Sequence, residues 1–218
     1  MYCKHGINNA IKLAYGLLES HLYKEDREFL TGVHGEVCET VLEVVLREFI
    51  KRNNIKDWYI AKSLIIPIKN TTTELDITLF TPKMIYIFEC KCYGGEKEII
   101  NECTIHRSGQ QDMNVYEQNC FHRDMLDELI RTFRFTKVNT RDKYKLIYFD
   151  FSTGSLVDKR RDKSLMSVVN YKNLTNLFKD YFDLPNQWDM KKILPAVKKL
   201  EDNHDKLEKL HLKRLGVS

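Results

Sequence analysis

Three charged residues stand at spacings that paired strands would turn into proximity. In the segment Glu74-Leu-Asp-Ile-Thr-Leu-Phe-Thr-Pro-Lys-Met-Ile-Tyr-Ile-Phe-Glu-Cys-Lys, Asp76 falls on one candidate strand and Glu89 and Lys91 on the next. Side chains alternate faces along a strand, so Glu89 and Lys91 share one face while Cys90 and Cys92 take the other. An antiparallel hairpin would bring Asp76 beside Glu89, putting two carboxylates and an ammonium in a small volume. Two adjacent carboxylates repel, and keeping both ionised calls for a cation. A hard divalent ion such as Mg²⁺ suits them, because it takes few protein oxygens and keeps positions for water and phosphate. The plainer reading is a cross-strand ion pair on a solvated hairpin, which is worth little energetically. Ile85 and Ile87 precede Glu89 on the same face, so the charges extend an apolar row and favour the site.

The hairpin needs supporting elements, and the patterning supplies them. Ile7, Ile11, Tyr15 and Leu18 predict an amphipathic helix over residues 4–23. A second helix is expected after Gly35, with Val37, Val41, Val44, Val45 and Phe49 inward and Glu36, Thr40, Glu43 and Arg47 outward, ending at Lys51-Arg-Asn-Asn. Residues 58–68 form a strand whose Pro67 points to an edge or a bulge. Residues 74–80 alternate, with Leu75, Ile77 and Leu79 on one side and Asp76 and Thr78 on the other. Thr81-Pro-Lys turns the chain into a strand over residues 84–92, stopped by Gly94-Gly95. Residues 96–110 read as a loop and 115–133 as a long helix. Residues 144–151 form a strand, 158–163 a charged loop, 164–169 a short strand, and 171–182 a helix. A charged helix closes the chain after Pro185 and Pro195. The expected fold is α/β, a mixed sheet flanked by helices.

An Asp followed about a dozen residues later by Glu-x-Lys resembles the signature of the PD-(D/E)xK nuclease superfamily. Within it the chain most resembles the nuclease-related domain family, NERD. Gly35-Glu36 matches its first helix, Leu75-Asp76 its acidic strand, and Glu89-Cys-Lys-Cys-Tyr-Gly its Glu-x-Lys strand. Gln118-Asn119, with His122 three residues on, and the strand Lys145-Leu-Ile-Tyr-Phe complete the order. The likeness spans about residues 33–182, and Leu75 stands where the superfamily often has Pro. It implies a restriction-endonuclease-like core over residues 31–184, with an N-terminal helical extension (1–30) and a basic C-terminal one (185–218). It further implies metal-dependent hydrolysis of phosphodiester bonds, with DNA as the expected substrate and RNA left open. In that reading Asp76, Glu89, the backbone carbonyl of Cys90 and Glu36 hold Mg²⁺ or Mn²⁺. Lys91 positions the attacking water or the phosphate, and Gln118 orients the phosphate or the Lys91 ammonium. Alone, Glu36 is an acid favoured by a helix N-terminus, and Gln118, His106 and His122 are ordinary polar residues. The alternative function is a non-catalytic nucleic-acid-binding module or interaction subunit that retains the fold.

Composition bounds these readings. The chain has 218 residues, 43% hydrophobic and 30% charged, with net charge +4. That suffices for a core and excludes a disordered or fibrous class. Residues 191–218 hold eight Lys or Arg against four acids, leaving 27 of each sign in residues 1–190. A basic tail can grip phosphates, although a solvated helical face accounts for it equally. Lys159, Arg160 and Arg161 lie nearer the core and are the better candidates for nucleic-acid contact. Leu200, Leu207 and Leu210 leave a homodimer seam open. The six cysteines include no Cys-x-x-Cys pair, so reduced thiols are expected and an iron–sulfur cluster is not. The longest apolar runs are about five residues, far below the roughly 20 needed to cross a bilayer. The start, Met1-Tyr-Cys-Lys-His, lacks the apolar stretch of a secretory signal. A cytoplasmic protein without membrane association is expected.

Overall fold

Helix α1 (Arg27–Arg52) runs through Gly35 instead of starting after it. A computed structural model describes residues 27–132, 141–151 and 154–216; the helix expected over residues 4–23 lies outside them. A Cβ on Gly35 would meet open space, so the missing side chain costs helix propensity but leaves no packing void. The buried stripe of α1 is Cys38, Leu42, Leu46 and Ile50, one residue round from the valines expected there. Val37, Val41, Val45 and Phe49 flank that stripe, and Val44 is exposed. Four-residue steps keep the stripe on one side of the helix. The helix ends at Asn54 in the left-handed conformation (φ 51°), with Ile55 N–H closing onto the Ile50 carbonyl.

The central sheet has the order β1 (Tyr59–Ile68), β2 (Thr71–Phe80), β3 (Ile85–Lys91), β7 (Tyr144–Asp150), β9 (Ser167–Val169). The first three strands are antiparallel, as the short Thr81-Pro-Lys turn requires, and β3–β7 and β7–β9 are parallel. Thr81 fixes that turn: its hydroxyl accepts from Met84 N–H at 3.1 Å and donates to the Met84 carbonyl at 2.7 Å. The strand holding Pro67 is the sheet edge, where a missing N–H is tolerated.

The expected alternation of β2 fails at one place. Ile77 and Leu79 pack on the α1 side, but Leu75 packs on the opposite side with Phe80, Ile85 and Ile87. On β1, Ala61 and then Leu64 and Ile66 face that opposite side. The pairs Lys62–Ile77 and Leu64–Leu75 keep one register, and Ser63 between them has φ 48°. This kink resets the phase of both strands at Ser63 and Asp76, where the site begins.

Residues 96–110, expected to be a loop, contain β4 (Lys97–Ile100) and β5 (Thr104–His106). With β6 (Met113–Asn114) and β8 (Leu156–Asp158) they form a second sheet, ordered β6-β5-β4-β8. Helix α2 (Val115–Thr132) covers the face of the central sheet opposite α1, through Met125, Leu126, Leu129 and Ile130. Residues 171–182 give two 3₁₀ turns, Leu174–Phe178 and Tyr181–Asp183, in place of an α-helix. Pro195 lies inside α3 (Met190–Glu201) instead of before it, and α4 (His204–Leu215) follows with no buried residue. Its Leu207 and Leu210, with Leu200 of α3, are half-buried. Among the described residues no helix is long and apolar enough to cross a membrane.

Candidate active site

The β2–β3 ladder ends at the pair Ile77–Phe88, so Asp76 and Glu89 are the next residues of the two strands. The Asp76 carboxylate accepts from the Cys90 N–H at 2.7 Å, taking the place a strand carbonyl would have held. On the other side of β3 the Lys91 carbonyl accepts from Phe151 N–H at 3.0 Å. Main-chain groups of successive strand residues point to opposite sides. The Cys90 carbonyl is therefore turned toward β2, beside Asp76.

Glu89 is fully buried, with 0% of its surface exposed. The Lys91 ammonium donates to its Oε1, and the Gln118 amide also favours the ionised form. The other oxygen, Oε2, has no hydrogen-bond partner among the described residues. It lies 3.8 Å from Nδ1 of the buried His122, which is equally unpartnered. A neutral imidazole with its proton on Nδ1 is suited to face that oxygen. Burial, aided by Lys91, pushes His122 down to about 4 and keeps it uncharged at neutral pH. Gln118, Asn119 and His122 share one face of α2. Asn119 pins that face to the sheet by donating to the Ile147 carbonyl at 3.1 Å.

The electrostatics carry excess negative charge. Burial and the adjacent Glu89 push Asp76 up to about 7, opposed by Lys91 and the Cys90 N–H. Burial raises Glu89 as well, against the pull of Lys91. Burial would lower Lys91, but Glu89 and Asp76 hold its ammonium above the usual lysine range. A third carboxylate joins from α1: burial and Asp76 push Glu39 up to about 7, with Lys62 (3.8 Å away) opposing. Glu36, one turn earlier, is exposed and acts only weakly on Glu39. The structure thus brings Asp76, Glu89, Lys91, Cys90 and Gln118 together and leaves Glu36 outside. Glu39 went unnoticed in the sequence because only the roll of α1 on the sheet distinguishes it from its acidic neighbours.

The basic loop divides. Arg160 is buried, with 5% exposed. It makes a two-pronged pair with Asp158 (2.9 and 3.0 Å) and donates to the carbonyls of Glu102 and Met166. It holds the second sheet to the β9 approach and has no face for phosphate, contrary to the expectation from sequence. Lys159 pairs with Glu98 at 2.6 Å. Lys159 and Arg161 line a surface cavity of about 580 Å³ that also contains Glu102 and Asp162.

Whether the donors suit a hard cation rests on the carboxylates. Among the described residues no three His, Cys, Asp or Glu side chains are grouped to hold a metal ion unaided. Two carboxylates, one main-chain carbonyl and several waters meet the habit of Mg²⁺, and the spare Oε2 of Glu89 supplies an unused donor.

A mixed sheet between α1 and α2, with paired acids and a lysine where the β2–β3 ladder ends, defines a restriction-endonuclease-like protein. The family model described as Nuclease-related domain (NERD) matches residues 34–149, more than half of the chain. The chain belongs to that family, and its function is accordingly nuclease-related. No curated protein and no solved structure matches it.

Proposed function

We propose that the protein is a divalent-metal-dependent nuclease that hydrolyses phosphodiester bonds of DNA. The observation that carries this reading is the convergence of Asp76, Glu89 and Lys91 around one partly dry volume. Asp76, Glu89 and the Cys90 carbonyl would hold Mg²⁺ or Mn²⁺. Bound there, the ion supplies a Lewis acid that lowers the pKa of a water and offsets charge on the phosphate. Asp76 is kept in position by the Cys90 N–H. Lys91, tied to Glu89 through one proton, has two more to direct at a phosphate oxygen or at the attacking water. Gln118 and His122 restrain the Glu89 carboxylate from the helix side. The water oxygen forms a bond to phosphorus and gives up a proton to solvent as one P–O ester bond breaks, and the departing sugar oxygen takes up a proton from solvent.

The test offers plasmid, linear, branched and single-stranded DNA, with RNA alongside, to the protein with Mg²⁺ or Mn²⁺. Asp76→Ala and Lys91→Ala are expected to lower cleavage by about 100-fold or more. Cleavage that survives in both variants removes the site assignment. Metal-independent binding of every substrate without cleavage would mark a non-catalytic module in the same fold.

A further inference from the structure

The face of β3 that carries Ile87, Glu89 and Lys91 continues beyond the strand to Tyr93, which packs against the same side of the sheet. Tyr93 is held from its far end, where its hydroxyl donates to the Met113 sulfur at 3.1 Å. Over its ring, 3.9 Å from the centroid, lies the guanidinium of Arg107, from the loop between β5 and β6. A cation stacked on an aromatic face has its orientation set while its N–H edge stays available. Among the described residues no carboxylate lies within ion-pair distance of Arg107. Three other cations near the two sheets are engaged: Lys91 with Glu89, Lys159 with Glu98, Arg160 with Asp158. Burial raises the Tyr93 phenol, and Lys91, Arg107, Glu89 and Asp76 all act on it, as expected for a ring at the rim of the site.

We propose that Arg107, stacked on Tyr93 beside Lys91, binds a backbone phosphate neighbouring the one that is cleaved and so fixes where the nucleic-acid strand lies across the site. The proposal rests on the nuclease reading and names its positioning residue. The planar fork matches two phosphate oxygens at once, which a lysine at that position would not. It moves the phosphate-binding role from the ion-paired Lys159 and Arg160 to the β5–β6 loop.

The test uses the full chain carrying Asp76→Ala, so that labelled duplex and single-stranded DNA survive the measurement. Affinity is followed across a salt series, with and without Arg107→Gln or Arg107→Lys. Arg107→Gln should weaken binding about 10-fold and flatten the slope of log affinity against log salt by about one. Arg107→Lys should keep the slope and recover part of the affinity. In the cleaving protein, Arg107→Gln should raise KM while kcat is largely kept. Arg107 is half-exposed, so its variants should keep the wild-type unfolding midpoint; Tyr93→Leu, which removes the platform and keeps the cation, should weaken binding with the slope unchanged. Unchanged affinity and slope in Arg107→Gln overturn the proposal while leaving the nuclease reading intact. A wild-type chain that neither binds nor cleaves nucleic acid removes both.

Discussion

Asp76 is the residue on which the site's chemistry and its stability pull in opposite directions. Its carboxyl is pushed up to about 7 by burial and by Glu89, above the roughly 3.9 of an unfolded chain. A carboxyl with a raised native value binds its proton more tightly when folded. Its ionisation therefore begins to cost stability above about pH 4, and the whole cost is present above about pH 7. In metal-free buffer at pH 8, Asp76→Asn should be more stable than the wild type by about 2 kcal/mol, a figure reduced for the residue's partial exposure. The gain should fade as pH falls toward 4, where both side chains are neutral. Denaturant midpoints at pH 4, 6 and 8 measure it, and a gain independent of pH would contradict the electrostatic cause. The same residue lies at the kink with Ser63, so one position ends a ladder, accepts a main-chain N–H and begins the acidic cluster.

Among the elements, the hairpin was legible from sequence because its information is local: a short turn, an apolar row, and charges two residues apart. The phase reset in β2 was not, since it comes from a positive φ at Ser63 on the neighbouring strand. Strands β4, β5 and β6 were hidden for a related reason. They have four, three and two residues, too few to show a period, and exist because distant segments pair with them. Arg160 read as a free cation until the fold set it between Asp158 and two carbonyls. The junction of the two sheets depends on one close approach. A Cβ on Gly154 would stand 1.7 Å from the Gly95 carbonyl oxygen, and Gly95 itself has φ 79°. Next to it, Lys97 N–H donates to the Ser155 carbonyl at 2.9 Å. Gly154→Ala should destabilise the fold by about 2–3 kcal/mol, because backbone must move to admit one methyl. Thermal unfolding would register this as a loss of several degrees, and an unshifted midpoint would show that the junction yields easily.

For the molecule as a whole, the site is a place where two helices and a hairpin concentrate acid, with Lys91 against Glu89 and Lys62 near Glu39. Asp76 and Glu39 both have values near 7, and the fully enclosed Glu89 is raised as well. At neutral pH, without metal, Asp76 and Glu39 therefore keep part of the cluster's negative charge masked by hydrogen ions. On the proposed reading, a divalent ion entering would displace them, and loading would act as an exchange that acidifies its surroundings. Calorimetric titration of Mg²⁺ or Mn²⁺ in buffers of different ionisation heat should report up to about one proton released per chain at pH 7. The count should shrink toward zero by pH 9, and an identical heat in every buffer would contradict the exchange. On that reading cation affinity would track the acidity of the medium near neutrality, so a modest rise in alkalinity alone would help fill the site.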